Sequence, residues 1–314
     1  MTPEGPRVVI TEFMDEDALS DFAPGTAVTY DPALVDDRPR LLASVTEADA
    51  LIVRNRTQVD AALLDAAPRL RAIGRLGVGL DNIDMAACTA REIGVFPATG
   101  ANTLSVAEYV ITAALALRRT AFAAHDAMIA GEWPRNTLMG AEVSGATMGL
   151  LGYGQIARAV ALRANALGMA VVAHDPMLPA EDPAWDGAER LGLSDLLARA
   201  DVLSLHVPLT PETRGMLGAE ALATMKPGAV LVNTARGGIV DEAALAEALR
   251  AGRLGGAALD VFAVEPLTAE AAQVFAGIPT LILTPHIAGV TLEANTRVST
   301  LTVAQIRKAL EQAP

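Results

Sequence analysis

The amino-acid sequence predicts an α/β protein built on two doubly wound parallel sheets. Three observations carry the prediction. The chain has 314 residues, a length that suits two domains. Short apolar runs alternate with helical patterns along most of it. In the second half the runs end at Gly152, Asp175, His206, Arg236, Asp260 and His286. In a parallel sheet such positions share one edge, where ligands bind.

Composition narrows the class. Hydrophobic residues make up 52% of the chain and aromatics only 4%, so the core is mostly Ala, Leu and Val. The net charge of −13 argues against nucleic acid and against an anionic membrane surface as partners. It leaves an anionic small substrate open, since a few arginines can line one pocket. The lone cysteine, Cys88, cannot form an intramolecular disulfide and reads as a buried structural thiol. The start, MTPEGPRVVITEF, lacks the basic and long apolar parts of a signal peptide, and no run reaches membrane-spanning length. A soluble, cytoplasmic protein is expected.

The elements follow in order. Val8 to Thr11 is a short strand, Asp15 to Phe22 a helix, Leu41 to Ala48 a helix, and Ala50 to Val53 a second strand. That strand runs into Arg54-Asn55-Arg56-Thr57. A helix from Asp60 to Ala66 stops before Pro68. The strand Leu70 to Arg75 leads to the glycine-rich turn Gly77-Val78-Gly79, which brings backbone N–H groups close to a partner. From Asn102 to Arg119 the chain is helical and apolar nearly all round, with Val106, Val110, Ala113, Ala114 and Leu117 as one stripe. Such a helix is either a core element or a domain connector and subunit interface. Gly131-Glu132-Trp133-Pro134-Arg135 is a loop carrying an aromatic and an arginine.

Residues 147 to 175, TMGLLGYGQIARAVALRANALGMAVVAHD, read as strand, glycine turn, helix, strand and acid. Gly152 allows the tight turn, Gly154 lets a pyrophosphate approach the backbone, and Ala157 lets helix and strand pack closely. The helix N-terminus attracts phosphate, and Asp175 is placed to bond a ribose diol. A carboxylate there would repel a 2′-phosphate, so the pattern points to NAD rather than NADP. Further strands are expected at Val202 to Val207, Ala229 to Asn233, Gly255 to Leu259 and Thr280 to Leu283. Helices are expected at Ser194 to Ala198, Asp241 to about Ala251 and Thr291 to Glu311.

Three residues near the strand ends compose a reaction. Arg236 can grip a carboxylate with its planar fork. His286 can take the proton of a neighbouring hydroxyl while hydride leaves the same carbon for nicotinamide. Glu265 can bond the far imidazole nitrogen and fix the tautomer. The substrate that matches is a 2-hydroxy acid. His125, His174 and His206 read as structural, and no metal is called for.

These segments resemble the D-isomer-specific 2-hydroxyacid dehydrogenase family. The likeness runs through GRLGVGLDNID (74–84), GEWPR (131–135), LLGYGQIARAV (150–160), HVPLTPETRGML (206–217), NTARGGIVDEAAL (233–245), ALDVFAVEPL (258–267) and LTPHIAGVT (283–291). The branch looks nearest to phosphoglycerate dehydrogenase. The resemblance implies Arg236, Glu265 and His286 as the catalytic set. It implies cofactor contacts at Gly152, Gly154, Gln155, Ile156, Asp175, Val207, Thr213, Thr234, Ala235, Asp260 and Gly289. It also implies a Rossmann NAD-binding domain over 102–286 and a smaller, flavodoxin-like substrate domain over 1–101 and 287–314, with the two meeting at a cleft. A homodimer around the helix after Asn102 is implied as well. The regulatory domain of longer relatives is not expected beyond residue 314.

The substrate set implied is Arg54, Arg56, Val78, Gly79 and Arg135. Arg54 and Arg135 align with positions that bind a distal phosphate in phosphoglycerate enzymes. The loop at 54–57 departs from the small residues usual there. Arg56 is then either a third cation or a solvated loop charge. Phosphoglycerate, sulfolactate and glycerate or hydroxypyruvate all fit such a pocket. Two rival readings share the fold: an NAD-binding corepressor and a formate dehydrogenase.

Overall fold

The computed structural model describes residues 5–312, and the first four residues of the N-terminal stretch and residues 313 and 314 lie outside the described residues. The chain forms two compact units, Met1–Asn102 with Val290–Pro314, and Thr103–Gly289.

The first unit holds five strands: β1 (Arg7–Ile10), β2 (Ala27–Tyr30), β3 (Ala50–Val53), β4 (Ala72–Arg75) and β5 (Gly94–Pro97). All pair in parallel in the order β2-β1-β3-β4-β5. Every residue of β3 and β4 is buried, as strands covered by helices on both faces must be. Helices α1 (Arg38–Ser44), α2 (Ala61–Ala66) and α3 (Met85–Ala90) begin at Asp37, Asp60 and Asp84. Each aspartate accepts a backbone N–H of the first turn, a cap worth about 1 kcal/mol.

Several elements of this unit depart from the sequence expectation, and α3 and β5 are among those it did not include. The helix expected from Asp15 to Phe22 is a 3-10 helix over Glu16–Asp21, capped by Asp15. Strand β2 was not expected at all. It lies at the sheet edge and alternates between exposed and half-buried, so its apolar run is short and weak.

The closing helix, Leu292–Gln312, returns to the first unit and buries Val298, Val303 and Ile306 beside β4. A Cβ on Gly74 would lie 2.6 Å from Cγ2 of Thr302 and 2.9 Å from Cγ1 of Ile306. The bare glycine therefore permits this close helix-to-strand approach.

The second unit holds seven strands: β6 (Thr147–Leu151), β7 (Ala170–His174), β8 (Glu189–Arg190), β9 (Val202–Leu205), β10 (Val230–Asn233), β11 (Gly256–Leu259) and β12 (Leu281–Leu283). They too are all parallel, in the order β12-β11-β10-β9-β6-β7-β8. The winding reverses between β6 and β9, which places a crevice beyond their carboxyl ends. Helices α4 (Thr103–Arg119), α5 (His125–Ile129), α6 (Gln155–Ala166), α7 (Leu193–Arg199), α8 (Ala219–Thr224) and α9 (Glu242–Arg250) complete the unit.

Helix α4 resolves one open expectation. Its stripe of Val106, Val110, Ala113, Ala114 and Leu117 is buried against α6, β10 and β11. The stripe is thus covered inside the unit. Leu104 is exposed on the helix itself, and more exposed apolar side chains follow it at Phe122, Ile129, Trp133 and Met139. Among the described residues no helix is long and apolar enough to cross a membrane.

Candidate active site

The glycine turn sits at the point where the winding reverses. Gly152 has φ +87°, and a Cβ there would lie 2.7 Å from the carbonyl oxygen of His206. Both facts exclude any other residue without strain. Gly154 caps α6 with no side-chain bond, and a Cβ on it would meet nothing within 4 Å. Open space thus faces the free N–H groups of the helix start. Gln155 and Ile156 form the first turn, and Ala157 is fully buried beneath it.

Asp175 follows β7 and is already engaged. Its Oδ2 accepts the N–H of Tyr153 at 2.9 Å and its Oδ1 that of Met177 at 2.9 Å. Each oxygen retains a second lone pair for a ribose hydroxyl. Tyr153 is buried and stacks on Trp185 with ring centroids 5.1 Å apart. Trp185 is held by its own Nε1, which donates to the Pro179 carbonyl at 2.8 Å, and the Arg190 guanidinium lies 5.8 Å over its ring. The residue reading assigned nothing to Trp185, because its loop lies outside the strand–helix pattern.

The remaining expected cofactor residues divide. Thr213, in the loop after Val207, donates its hydroxyl to the Pro208 carbonyl at 2.7 Å and accepts the Thr210 N–H at 2.8 Å. That hydroxyl serves the loop itself. The Ala235 N–H is taken by Oδ1 of Asn233 at 3.0 Å. Thr234 differs: its hydroxyl is buried and, among the described residues, has no hydrogen-bond partner. Leaving such a group unpaired costs about 1–3 kcal/mol, so the position fits one that a ligand satisfies. The open cradle at Gly154 and the orphaned Thr234 hydroxyl together suit a dinucleotide. His206, beside the turn, is half-buried and bonds Oγ of Ser204 at 3.0 Å; burial of its ring pushes its pKa down to about 4, so it stays neutral.

The expected reacting residues converge. Glu265 Oε2 and His286 Nδ1 are 2.7 Å apart. Glu265 Oε1 accepts the Phe262 N–H at 3.0 Å, so both carboxylate oxygens are fixed. Burial pushes the Glu265 carboxyl upward. The bonds from His286 and Phe262, with the charges of His286 and Arg236, outweigh this and hold it below the usual range. Arg236 is shaped from behind. Asn233, at the end of β10, donates Nδ2 to the Arg236 carbonyl at 2.9 Å while the guanidinium Nη1 donates to the Ala235 carbonyl at 2.6 Å.

His286 has φ +53°, a backbone conformation that side chains rarely adopt. The turn is held there by Asp260. This carboxylate is buried and accepts the Thr284 hydroxyl at 2.6 Å and the N–H groups of Ile287 and Ala288 at 2.8 Å each. The Tyr109 hydroxyl extends the chain to Thr284 at 2.6 Å. Asp260 was expected as a cofactor contact; its carboxylate is occupied in building the histidine turn. Gly289 follows that turn, half-buried. Among the described residues no group of three or more His, Cys, Asp or Glu could hold a metal ion.

In the first unit the two loop arginines part company. The Arg54 guanidinium donates Nη1 to the Phe13 carbonyl at 3.0 Å and to Oδ1 of Asn295 at 3.2 Å, and lies 5.8 Å over the Phe13 ring. Burial lowers its pKa, opposed by the nearby Glu12 charge. Arg56 instead pairs with Asp36 on the exposed surface. Gly77 has φ +143°, and a Cβ there would fall 1.6 Å from Nη1 of Arg75; Val78 beyond it is exposed and Gly79 half-buried. Arg135 is exposed, in the loop after α5 of the other unit.

Comparison with known proteins gives concordant likenesses. The family described as D-isomer specific 2-hydroxyacid dehydrogenase, NAD binding domain, matches residues 111–288. An (S)-sulfolactate dehydrogenase of Chromohalobacter salexigens is 59% identical over 304 residues, covering 96% of this chain and 98% of its own. A D-3-phosphoglycerate dehydrogenase of Mycobacterium bovis is 47% identical over 278 residues; that match covers 87% of this chain and about half, 51%, of the relative. Among solved structures, D-lactate dehydrogenase from Aquifex aeolicus, complexed with NAD and lactic acid, superposes with a TM-score of 0.84 at 30% identity over 97% of each chain.

The lowered Glu265 pKa predicts a pH dependence. Its contribution is fully present above the unfolded carboxylate value, about 4.3, and is lost as pH falls through the lower folded value. The stability advantage of the wild type over Glu265→Gln is therefore expected to be constant near neutrality and to shrink below about pH 4.3. Denaturant unfolding of both proteins from pH 7 to pH 3 measures it, and an advantage that grows on acidification contradicts the assignment.

Proposed function

The chain belongs to the D-isomer specific 2-hydroxyacid dehydrogenase family and is an NAD-dependent oxidoreductase of short 2-hydroxy acids, and we propose that its substrate is a three-carbon acid with an anionic group at C3, sulfolactate foremost. The observation that carries the reaction is the 2.7 Å bond between Glu265 and His286, with the Arg236 charge beside it. The substrate class rests on Arg54 together with the 59% identity to a sulfolactate dehydrogenase.

The chemistry divides among the chain's own residues. Glu265 accepts the Nδ1 proton of His286, which fixes the tautomer and leaves Nε2 free as a base. In oxidation, Nε2 takes the C2 hydroxyl proton, and Glu265 stabilises the imidazolium that results. In reduction, the same Nε2–H returns the proton to the carbonyl oxygen. Arg236 holds the substrate carboxylate and so orients C2. NAD, when bound, supplies the hydride acceptor; the first turn of α6, Asp175 and Thr234 are the residues that would hold it.

Arg54 recognises the C3 anion. Among the described residues, both hydrogen bonds of its guanidinium run through Nη1. The rest of the planar group is left for a sulfonate or phosphate. Arg56 is committed to Asp36 and takes no part. We further propose a cytoplasmic homodimer that does not bind nucleic acid, consistent with the charge of −13. Its subunits would meet through the exposed apolar segment after α4.

His286→Ala and Arg236→Ala should each lower kcat by about 10²-fold or more while NAD affinity stays near wild type. Steady-state rates and a cofactor titration check this; full kcat in either variant removes its assigned role. On a panel of 2-hydroxy acids, sulfolactate should outperform neutral glycerate. Arg54→Ala should erase that preference by roughly 10-fold or more in kcat/KM, whereas Arg56→Ala should leave it intact. A wild-type preference for glycerate would refute the anionic pocket. Sedimentation should give the mass of two chains, and Ile129→Asp with Trp133→Asp should yield monomers; a wild-type monomer overturns the dimer.

A further inference from the structure

We propose that Glu12 is the positioning residue for Arg54, and so governs how tightly the enzyme takes a 2-hydroxy acid with an anionic C3 group. The proposal rests on the substrate reading given above and adds a residue that neither the motifs nor the reacting set includes. Glu12 stands two positions beyond β1, with its side chain buried at 4% exposure. A buried carboxylate demands partners, and this one takes its partners from a single loop. Oε1 accepts the N–H groups of Arg54 at 2.8 Å and Thr57 at 2.9 Å, and Oε2 accepts that of Arg56 at 3.1 Å. Three charge-assisted bonds to one four-residue turn leave its backbone little freedom.

The same turn is gripped from behind. Nδ2 of Asn82 donates to the Thr57 carbonyl at 2.7 Å and to the Arg54 carbonyl at 3.3 Å. Glu12 therefore fixes the backbone of Arg54, and the next residue, Phe13, fixes its guanidinium through a carbonyl and a ring face. The direction of the carboxylate decides what this does for binding. Among the described residues no ion pair joins Glu12 to the Arg54 guanidinium; the carboxylate is spent on backbone amides. Arg54 is thus oriented by an acid whose charge lies nearby but does not occupy its guanidinium. Arg56, two residues on, shows the alternative, since its charge is cancelled by Asp36. The loop presents one fixed, half-buried cation, and Glu12 is what fixes it.

The test compares sulfolactate with glycerate, which lacks the C3 charge, in wild type, Glu12→Gln, Arg54→Ala and the double variant. Glu12→Gln should raise KM for sulfolactate about 10-fold, the scale at which a misplaced binding group acts. Its kcat on sulfolactate and its kcat/KM on glycerate should stay near wild type. In the double variant KM should be no worse than in Arg54→Ala alone, because both changes act through one guanidinium. Should Glu12→Gln not fold, Glu12→Asp keeps the charge and shortens its reach, and should move KM in the same direction by less. If Arg54→Ala impairs sulfolactate but the folded Glu12 variant does not, the Glu12 proposal is overturned and the substrate reading stands. Equal losses on sulfolactate and glycerate in the Glu12 variant also overturn it, since they indicate general damage. If Arg54→Ala leaves KM for sulfolactate unchanged, the substrate reading falls and takes this proposal with it.

Discussion

The histidine turn depends on one buried carboxylate. Asp260 stands at the end of β11 and receives a hydroxyl and two backbone N–H groups from the segment that follows β12. Those bonds offset the strain of a histidine at φ +53° and keep its Nδ1 within reach of Glu265. Tyr109 on α4 adds a further link through Thr284, so a core helix also bears on the turn. Burial raises the Tyr109 pKa, a rise opposed by the Thr284 bond and aided by Asp260, and its phenol stays protonated as a donor near neutrality.

The same device recurs wherever a loop leaves a strand end. Asp175 grips the N–H of Tyr153 in the glycine turn, Glu265 that of Phe262, and Glu12 three amides of the Arg54 loop. Parallel strands present their next loops at one edge, where carbonyls and amides have run out of sheet partners. An acidic side chain there satisfies several amides at once. These carboxylates are spent on backbone, so the acidity of the chain is compatible with a site that offers arginine to an anion.

Much of this architecture was legible because its signals are local. The alternation of apolar runs and helices identified the parallel sheets, and the spacing from Gly152 to Asp175 marked the dinucleotide turn before any contact was known. Strand β2 escaped because an edge strand needs no continuous apolar run. Helix α4 stayed ambiguous because periodicity says that a face is buried but not by what. The partners of Glu12, Asp36 and Asp260 were not legible for a similar reason. Each bonds a segment 20 or more residues away, and no spacing rule spans such a distance. Arg56 in particular looks the same in sequence whether it faces a ligand or Asp36.

The two tryptophans of the chain stand in opposed surroundings. Trp133 is 77% exposed, whereas Trp185 lies flat against the buried ring of Tyr153, next to the glycine turn. The molecule therefore carries two built-in optical reporters. Emission from Trp133 tracks the solvent around the segment after α4. Emission from Trp185 tracks the loop that follows Asp175, so the two regions can be followed separately in one sample without an added label.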